Sequence, residues 1–553
     1  MTKMQTAPAQ TLPATTDVVI IGAGFGGLCA GIRLKEAGIH NFVILEKAAD
    51  VGGTWRDNTY PGCACDVQSH LYSYSFAGNA EWSKRYASWR EIQDYILKTT
   101  DDYQMRPFIH FGQEVNRCQF DSTTGLWTIG TSAGAEIRAR YFVLASGPLH
   151  HPQIPNIKGL DTFKGKVMHS AQWDHDYNLK GKRVASIGTG GSAIQYVPEI
   201  APDVAQLDVY QRTAAWVIPR DERRYSEFSK WLFRTFPSMR KLHRARLYAT
   251  NEMRVWPIFH PRLARALQGL AKLSIRMQVK DPEMRAKLTP DYTIGCKRIL
   301  ISNKYYPAFN RANVDLITDG IQEIRENSIV DSNGIERPCD TIILGTGFVV
   351  DPRGYMKNFT LDGLPGHQIM QDWKDGAESY YGTMVSGFPN MFQLVGPNTA
   401  LGHNSIIYMI ESQVNLILSV LGEMKKRGST YFNVKIEEQN KLNAEIQGRM
   451  KNTVWTSGCQ SWYQQADGKN FTIWPSSTIE FRSRTKRIHT PALDWITVGA
   501  PLTAANEMQE GAADERQEGA VNDTPEAGQI KGADTGLKTA QEKEGSKKTT
   551  EPA

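Results

Sequence analysis

Two glycine-rich turns, Gly22-Ala23-Gly24-Phe25-Gly26-Gly27 and Gly188-Thr189-Gly190-Gly191-Ser192-Ala193, limit what this chain can fold into more than any other feature. The first follows the branched apolar run Val18-Val19-Ile20-Ile21, a buried strand, and opens Leu28 to Ala37, which reads as a helix. Asn41 to Glu46 is the next strand, so Val18–Glu46 forms one β-α-β unit. The glycines have separate tasks: the first allows a tight turn, the second admits a pyrophosphate close to the backbone, and the third lets helix pack on strand. Phosphate then meets the helix N-terminus, where free N–H groups and the dipole favour anions. Glu46 ends the second strand about twenty residues past the turn, where a carboxylate accepts from ribose hydroxyls. Gly22, Gly24, Gly26, Gly27 and Glu46 are therefore predicted to bind a first dinucleotide.

The second unit repeats this logic. Arg183 to Ile187 is the strand, Gly188, Thr189, Gly190, Gly191 and Ser192 form the turn, and a helix runs from Ile194 to Ile200. The following strand, Leu207 to Tyr210, lacks a terminal acid and runs into Gln211-Arg212-Thr213. An acid there would repel a 2′-phosphate, whereas Arg212 can grip one bidentately, so this site is predicted to take NADPH rather than NADH. Two other strand ends, Tyr141 to Gly147 and Asp340 to Phe348, finish in small-residue turns. They resemble the crossing segments of two-dinucleotide flavoproteins.

The expected architecture is α/β, with two doubly wound, Rossmann-like dinucleotide-binding domains, the NADPH domain inserted in the FAD domain. The FAD domain spans residues 15–150 and 340–498, and the NADPH domain spans 151–225 and 291–339. A helical insertion covers 226–290. After about Val498 the composition turns to Glu, Gln, Gly, Ala, Lys and Thr, and no aromatic residue occurs from Pro501 to Ala553. Such a segment cannot bury enough surface to offset its ordering entropy, so 499–553 is expected to be a disordered tail.

Composition excludes several classes. A net charge of +6 with 22% charged residues gives no warrant for nucleic-acid binding, which needs basic residues gathered on one face. Nowhere do eighteen apolar residues run together, so no transmembrane span is predicted, and Met1 to Thr16 has no signal-peptide pattern. Seven scattered cysteines suit free thiols in a reducing compartment, and the expected location is cytoplasmic. Cys63 and Cys65 form a Cys-x-Cys pair, neither a zinc knuckle nor the CxxxxC of a disulfide reductase, and no metal site is predicted.

The 226–290 insertion mixes Trp231, Trp256, Pro237, Pro257 and Pro261 with helix-spaced Leu263, Leu267 and Leu270 and with basic residues such as Arg240, Lys241, Arg244, Arg246, Arg262 and Arg265. It reads as a helical cap over a substrate cleft with arginines in solvent. A helix lying on a membrane surface is the less favoured alternative, since proline and polar breaks are expected to keep each helix short.

Two dinucleotide sites in one chain imply hydride transfer from NADPH to a flavin. The reduced flavin can pass electrons to a disulfide, to a partner or quinone, or to O2; the absence of CxxxxC removes the first route. Between the two turns lies Phe163-Lys-Gly165-Lys-Val-Met-His169-Ser-Ala-Gln-Trp173-Asp174. It resembles the F-x-G-x-x-x-H-x-x-x-W-(P/D) signature of the type I Baeyer–Villiger monooxygenases, at every fixed position. Gly52-Gly53-Thr54-Trp55, Tyr60 to Asp66, Cys296-Lys297-Arg298, Phe388-Pro-Asn390, Gly396-Pro-Asn398 and Ser461-Trp462-Tyr463 look like further blocks of the same family.

This resemblance, reaching to about residue 482, implies an FAD-containing enzyme. It would use NADPH and O2 to convert ketones to esters or lactones through a C4a-peroxyflavin. It implies Arg298 as the catalytic cation and Asp66 as the acid that orients it. Gly53, Thr54, Trp55, Asp66 and Asn398 are expected beside the cofactors. Lys297 is the expected partner of Arg212 and Thr213 on the 2′-phosphate, and Trp462 belongs to a loop closing over NADP+. Phe163, Gly165, His169, Trp173 and Asp174 are read as structural or gating residues. The closing segment Ser461 to Pro475 suggests lipophilic or open-chain ketones. The rival readings are an S- or N-oxygenase of sulfides or amines and a non-catalytic flavin-binding interaction protein.

Overall fold

The computed structural model describes residues 11–254, 260–451, 453–459, 461–465 and 467–499; Trp256, Pro257 and residues 500–553 of the predicted tail lie outside them. The first sheet grows from β1 (Thr15–Ile21), β2 (Phe42–Glu46), β3 (Ile109–Phe111), β4 (Val115–Asp121), β5 (Leu126–Thr131) and β6 (Glu136–Leu144). β1 runs parallel to both β2 and β6, pairing Ile20 with Ile44 and Val143. These strands are buried on both faces, which is why their centres carry uninterrupted branched apolar residues. Helix α1 (Phe25–Glu36) follows β1 directly, as the first glycine turn requires.

The second sheet uses β7 (Lys166–His169), β8 (Arg183–Ile187), β9 (Gln206–Tyr210), β12 (Val314–Ile317) and β16 (Thr341–Leu344), in the order β12-β9-β8-β16-β7 and parallel throughout. Between β9 and β12 lies the short pair β10 (Val217–Ile218) and β11 (Leu300–Ile301). β13 (Ile321–Arg325), β14 (Ser328–Asp331) and β15 (Glu336–Pro338) form a separate meander. The first sheet is mixed, parallel through β6, β1, β2 and β3 and antiparallel at β4, β5 and β6, and with the wholly parallel second sheet it bears out the α/β class.

One boundary moves. The strand at 341–344, expected to re-enter the FAD domain at residue 340, pairs with β8 and β7 in the second sheet. The chain returns to the first sheet only with β17 (Thr360–Asp362) on β4 and β18 (Met391–Gln393) on β6. An apolar strand ending in small residues looks the same whichever sheet it completes.

The insertion differs from expectation in a second way. Helix α5 (Glu227–Thr235) is short, but α6 (Pro237–Met253) and the Pro261–Gln278 helix run 17 and 18 residues. Pro237 and Pro261 begin these helices instead of breaking them, because a missing N–H costs nothing in the first turn. One further helix, Ile406–Arg427, is long and apolar enough to cross a membrane by length and composition, yet 61% of that window is buried inside the molecule. It packs on α1 and on the Thr478–Thr485 helix.

The cysteines are not all free. Cys296 and Cys459 are joined in a disulfide across a sequence separation of 163 residues, and the other five are buried thiols. No spacing rule could have paired residues so far apart.

Candidate active site

The first glycine turn meets a second glycine pair. Gly24 and Gly53 pack face to face, and a Cβ on Gly53 would lie 3.3 Å from the Gly24 Cα. Gly53 precedes α2 (Thr54–Asp57), and the Gly52 N–H donates to the Ala23 carbonyl at 3.1 Å. A Cβ on Gly27 would sit 1.8 Å from the Gly22 carbonyl oxygen, so helix and turn approach as only glycine permits. The result is a side-chain-free cradle at a helix N-terminus, the right donor set for a pyrophosphate.

Glu46 is only 5% exposed, and its carboxylate accepts from the Ala23 N–H at 2.8 Å, the Ala48 N–H at 3.0 Å and the Arg56 guanidinium. It braces the turn here, a task the sequence reading had not given it. Trp55 is buried, and its indole N–H donates to the Tyr72 hydroxyl at 3.1 Å.

The second turn is more open. Gly188 lies at positive φ with the Gly345 carbonyl 2.5 Å from where a Cβ would be, while around Gly190 there is free space. Thr189 donates to the Thr213 carbonyl, and Ser192 precedes α4 (Ala193–Ile200). Arg212 is exposed near Lys297, whose ammonium is held below the ordinary lysine range by burial and by the Arg212 charge. Two neighbouring cations are the donor set that a doubly charged phosphate requires.

Arg298 and Asp66 meet although 232 residues separate them. The guanidinium donates to one Asp66 carboxylate oxygen from Nη2 at 2.6 Å and from Nε at 3.1 Å. The Asp66 charge raises the Arg298 pKa further above its ordinary value, so this cation keeps its proton. The side chains are 40% and 29% exposed, so the pair is partly open to solvent and does not close a core.

Gln195 of α4 holds the Asp66 loop in place. Its Oε1 accepts from the Tyr60 hydroxyl and the Ala64 N–H, and its Nε2 donates to the Ala64 carbonyl at 3.0 Å. Tyr463, 2% exposed, faces Arg298 and Asp66, and burial pushes its hydroxyl up to about 12. Sequence reasoning assigned neither residue a role; a polar side chain in the first turn after the second glycine run was the one available signal for Gln195.

Trp462 is 42% exposed, with its ring 4.4 Å from that of Tyr463. Asn398 lies at positive φ, and both of its amide donor bonds go to the Asn470 and Ile473 carbonyls at 3.0 Å. It anchors the segment after Trp462 instead of presenting its N–H groups to a cofactor.

The signature residues gather where the second sheet hands over to the next segment. His169 ends β7 opposite Leu344, its ring stands 5.9 Å from Phe348, and burial lowers its pKa. Its Nδ1 accepts from the Ala171 N–H, a capping bond and not proton-transfer geometry. A Cβ on Gly165 would meet the Asp340 carbonyl at 2.4 Å and the Phe163 ring at 2.5 Å. Trp173 lies against Tyr196, and Asp174 pairs with Lys166.

Cavities of about 560 and 620 Å³ flank this centre. One lies behind the Thr59–Ala64 loop and the other beside His169, and neither is lined by Arg298. Cys63 and Cys65 are buried beside Asp66, and burial raises both thiols, Cys63 to about 12. At neutral pH neither is a nucleophile.

Comparison with known proteins agrees with this geometry. A family model described as pyridine nucleotide-disulphide oxidoreductase matches residues 19–252. A Baeyer-Villiger monooxygenase of Pseudomonas aeruginosa is 46% identical over 92% of this chain and 97% of its own length. One from Streptomyces coelicolor is 46% identical over 85% of this chain and 91% of its own. Among solved structures, a steroid monooxygenase bound to NADP superposes with a TM-score of 0.78 at 30% identity, covering 87% of this chain and 100% of that one. Cyclohexanone monooxygenase from Rhodococcus bound to NADP+ gives 0.79 at 26% identity, covering 88% and 100%. The chain belongs to the Baeyer–Villiger monooxygenases.

Proposed function

We propose that this enzyme inserts oxygen beside the carbonyl of lipophilic or open-chain ketones in the cytoplasm, giving esters or lactones. The bridge between Arg298 and Asp66 carries this reading, since it fixes a permanent cation on the loop that Gln195, in the helix after the second glycine turn, holds in place. The enzyme is an FAD-containing, NADPH-dependent Baeyer–Villiger monooxygenase. Bound flavin supplies hydride acceptance and O2 activation.

The residues of the chain supply the setting. Gly22, Gly24, Gly26, Gly27, Gly53 and Thr54 would hold the flavin pyrophosphate, with Glu46 bracing the turn. Gly188, Gly190, Gly191 and Ser192 would take the nicotinamide dinucleotide, and Arg212, Thr213 and Lys297 its 2′-phosphate. Arg298 stabilises the negative charge that develops on the transferred oxygen and on the carbonyl oxygen. It neither gives nor takes a proton. Asp66 aims the guanidinium, and Gln195 holds the loop that carries Asp66. Trp462 closes over the nicotinamide and keeps water from the reacting atoms.

The test is turnover of linear, cyclic and aryl ketones by the purified holoenzyme with NADPH in air, scored by product mass. Gain of one oxygen as an ester or lactone is expected, with open-chain or bulky lipophilic ketones best. Oxygen added only to sulfides or amines would place the enzyme with the S- and N-oxygenases instead.

A further inference from the structure

The Pro261–Gln278 helix turns an unusual face to solvent. Its inner row, Ala264, Ala271, Ser274 and Ile275, is buried. On the outside, Leu263, Leu270, Leu273 and Met277 are 49%, 65%, 51% and 73% exposed. They are spaced so that they form one apolar stripe along the helix. The adjoining row is Arg262, Arg265, Lys272 and Arg276, and the helix contains no Asp or Glu. None of these four cations joins a carboxylate in an ion pair among the described residues.

A helix facing only water would not be expected to align four large apolar side chains outward beside four unpaired cations. The neighbouring helices of the insertion repeat the composition. Phe228, Trp231 and Phe236 are exposed and mutually packed, with ring centroids 5.7 and 6.1 Å apart. Ten of the fifteen large hydrophobic side chains exposed among the described residues fall between Phe228 and Met277.

We propose that the outward face of the Pro261–Gln278 helix docks on an anionic lipid bilayer. The leucines and Met277 enter the boundary between headgroups and acyl chains, and the basic row pairs with lipid phosphates. Charge selects this occupant over a second copy of the chain, because a copy would bring a matching basic row with no acids to answer it. The inference rests on the surface of the insertion and is independent of the ketone reading.

Sedimentation of the holoenzyme with vesicles tests it. Vesicles of equal parts phosphatidylcholine and phosphatidylglycerol are expected to carry the enzyme down, vesicles of phosphatidylcholine alone far less, and binding should weaken with added salt. The double variants L270E/L273E and K272E/R276E are each expected to lower binding about tenfold or more. Both alter only exposed positions, so FAD content and ketone turnover in detergent-free buffer should match wild type. Failure to bind anionic vesicles would overturn the proposal, as would equal binding to both vesicle types or binding unchanged in the variants. A wild-type dimer that L270E/L273E converts to monomer, with no vesicle binding, would assign the face to a second copy.

Discussion

Nη2 of Arg298 lies 2.6 Å from the Asp66 carboxylate, and Nε reaches the same oxygen at 3.1 Å. The two residues belong to different parts of the chain, so this bridge ties the loop above α3 (Trp89–Asp102) to the segment before β11. Partly exposed ion pairs add little stability, about 0–1 kcal/mol. Its value is in orientation. Asp66→Asn should therefore leave thermal stability almost unchanged while lowering ester formation about tenfold to a hundredfold. A large loss of stability with unchanged turnover would make the pair a structural strut.

Gln195 makes three hydrogen bonds to the Tyr60–Ala64 stretch. Gln195→Ala is expected to cost about 1–3 kcal/mol of stability. Because the Asp66 loop loosens, kcat should fall while the KM for NADPH stays near wild type. Steady-state kinetics beside a thermal melt separate the two effects.

Arg212 and Lys297 should decide between the two nicotinamide cofactors. Replacing either with Ala is expected to raise the KM for NADPH roughly tenfold or more and to leave the KM for NADH in place. Burial and the Arg212 charge make the Lys297 ammonium easier to deprotonate than an ordinary lysine. Free-enzyme affinity for NADPH should therefore weaken with rising pH before the usual lysine pKa of about 10.4 is reached. The Lys297→Arg variant should move that weakening to higher pH.

His70 is 3% exposed and packed against Tyr225, Phe233 and His243; burial lowers its pKa to about 3. The unfolded chain takes up a proton near pH 6.5, which the folded imidazole refuses until about 3. The stability it contributes is thus present above about 6.5 and is lost as pH falls, approaching ~2 kcal/mol at pH 5. His70→Leu should flatten the decline of melting temperature between pH 7 and 5; an unchanged slope would refute the assignment.

The Cys296–Cys459 bond joins the segment carrying Lys297 and Arg298 to the loop carrying Trp462. Peptide mapping after alkylation without reduction should recover these two cysteines linked. Reduction, or Cys459→Ser, should lower stability by about 2–5 kcal/mol and raise H2O2 release per NADPH consumed. Recovery of both as alkylated thiols would mean the tether does not form in solution.

The local chemistry of the chain was readable, and its long-range pairings were not. Each glycine turn announced itself because strand, turn and helix are contiguous, and positive φ or close approach at Gly22, Gly27 and Gly188 leaves no substitute. Arg298 and Asp66 could be named only by resemblance, since no periodicity relates residues so far apart. The same limit hid the Cys296–Cys459 bond, the clasp of Gln195 on Ala64, and Tyr463 beside Arg298. Prolines misled the reading of the insertion, because the residue type marks a helix start as readily as a break. Glu46 was named from its position at a strand end and Asn398 from resemblance, but which groups satisfy their side chains depends on loops that fold over them.

The most direct test of the account is rapid-mixing kinetics of Arg298→Ala. Flavin reduction by NADPH should proceed near the wild-type rate while no ester forms from a ketone that wild type converts, because the role proposed for Arg298 lies only on the oxygen-transfer side. Flavin reduction slowed as severely as product formation would contradict that role, and so would normal ester yield.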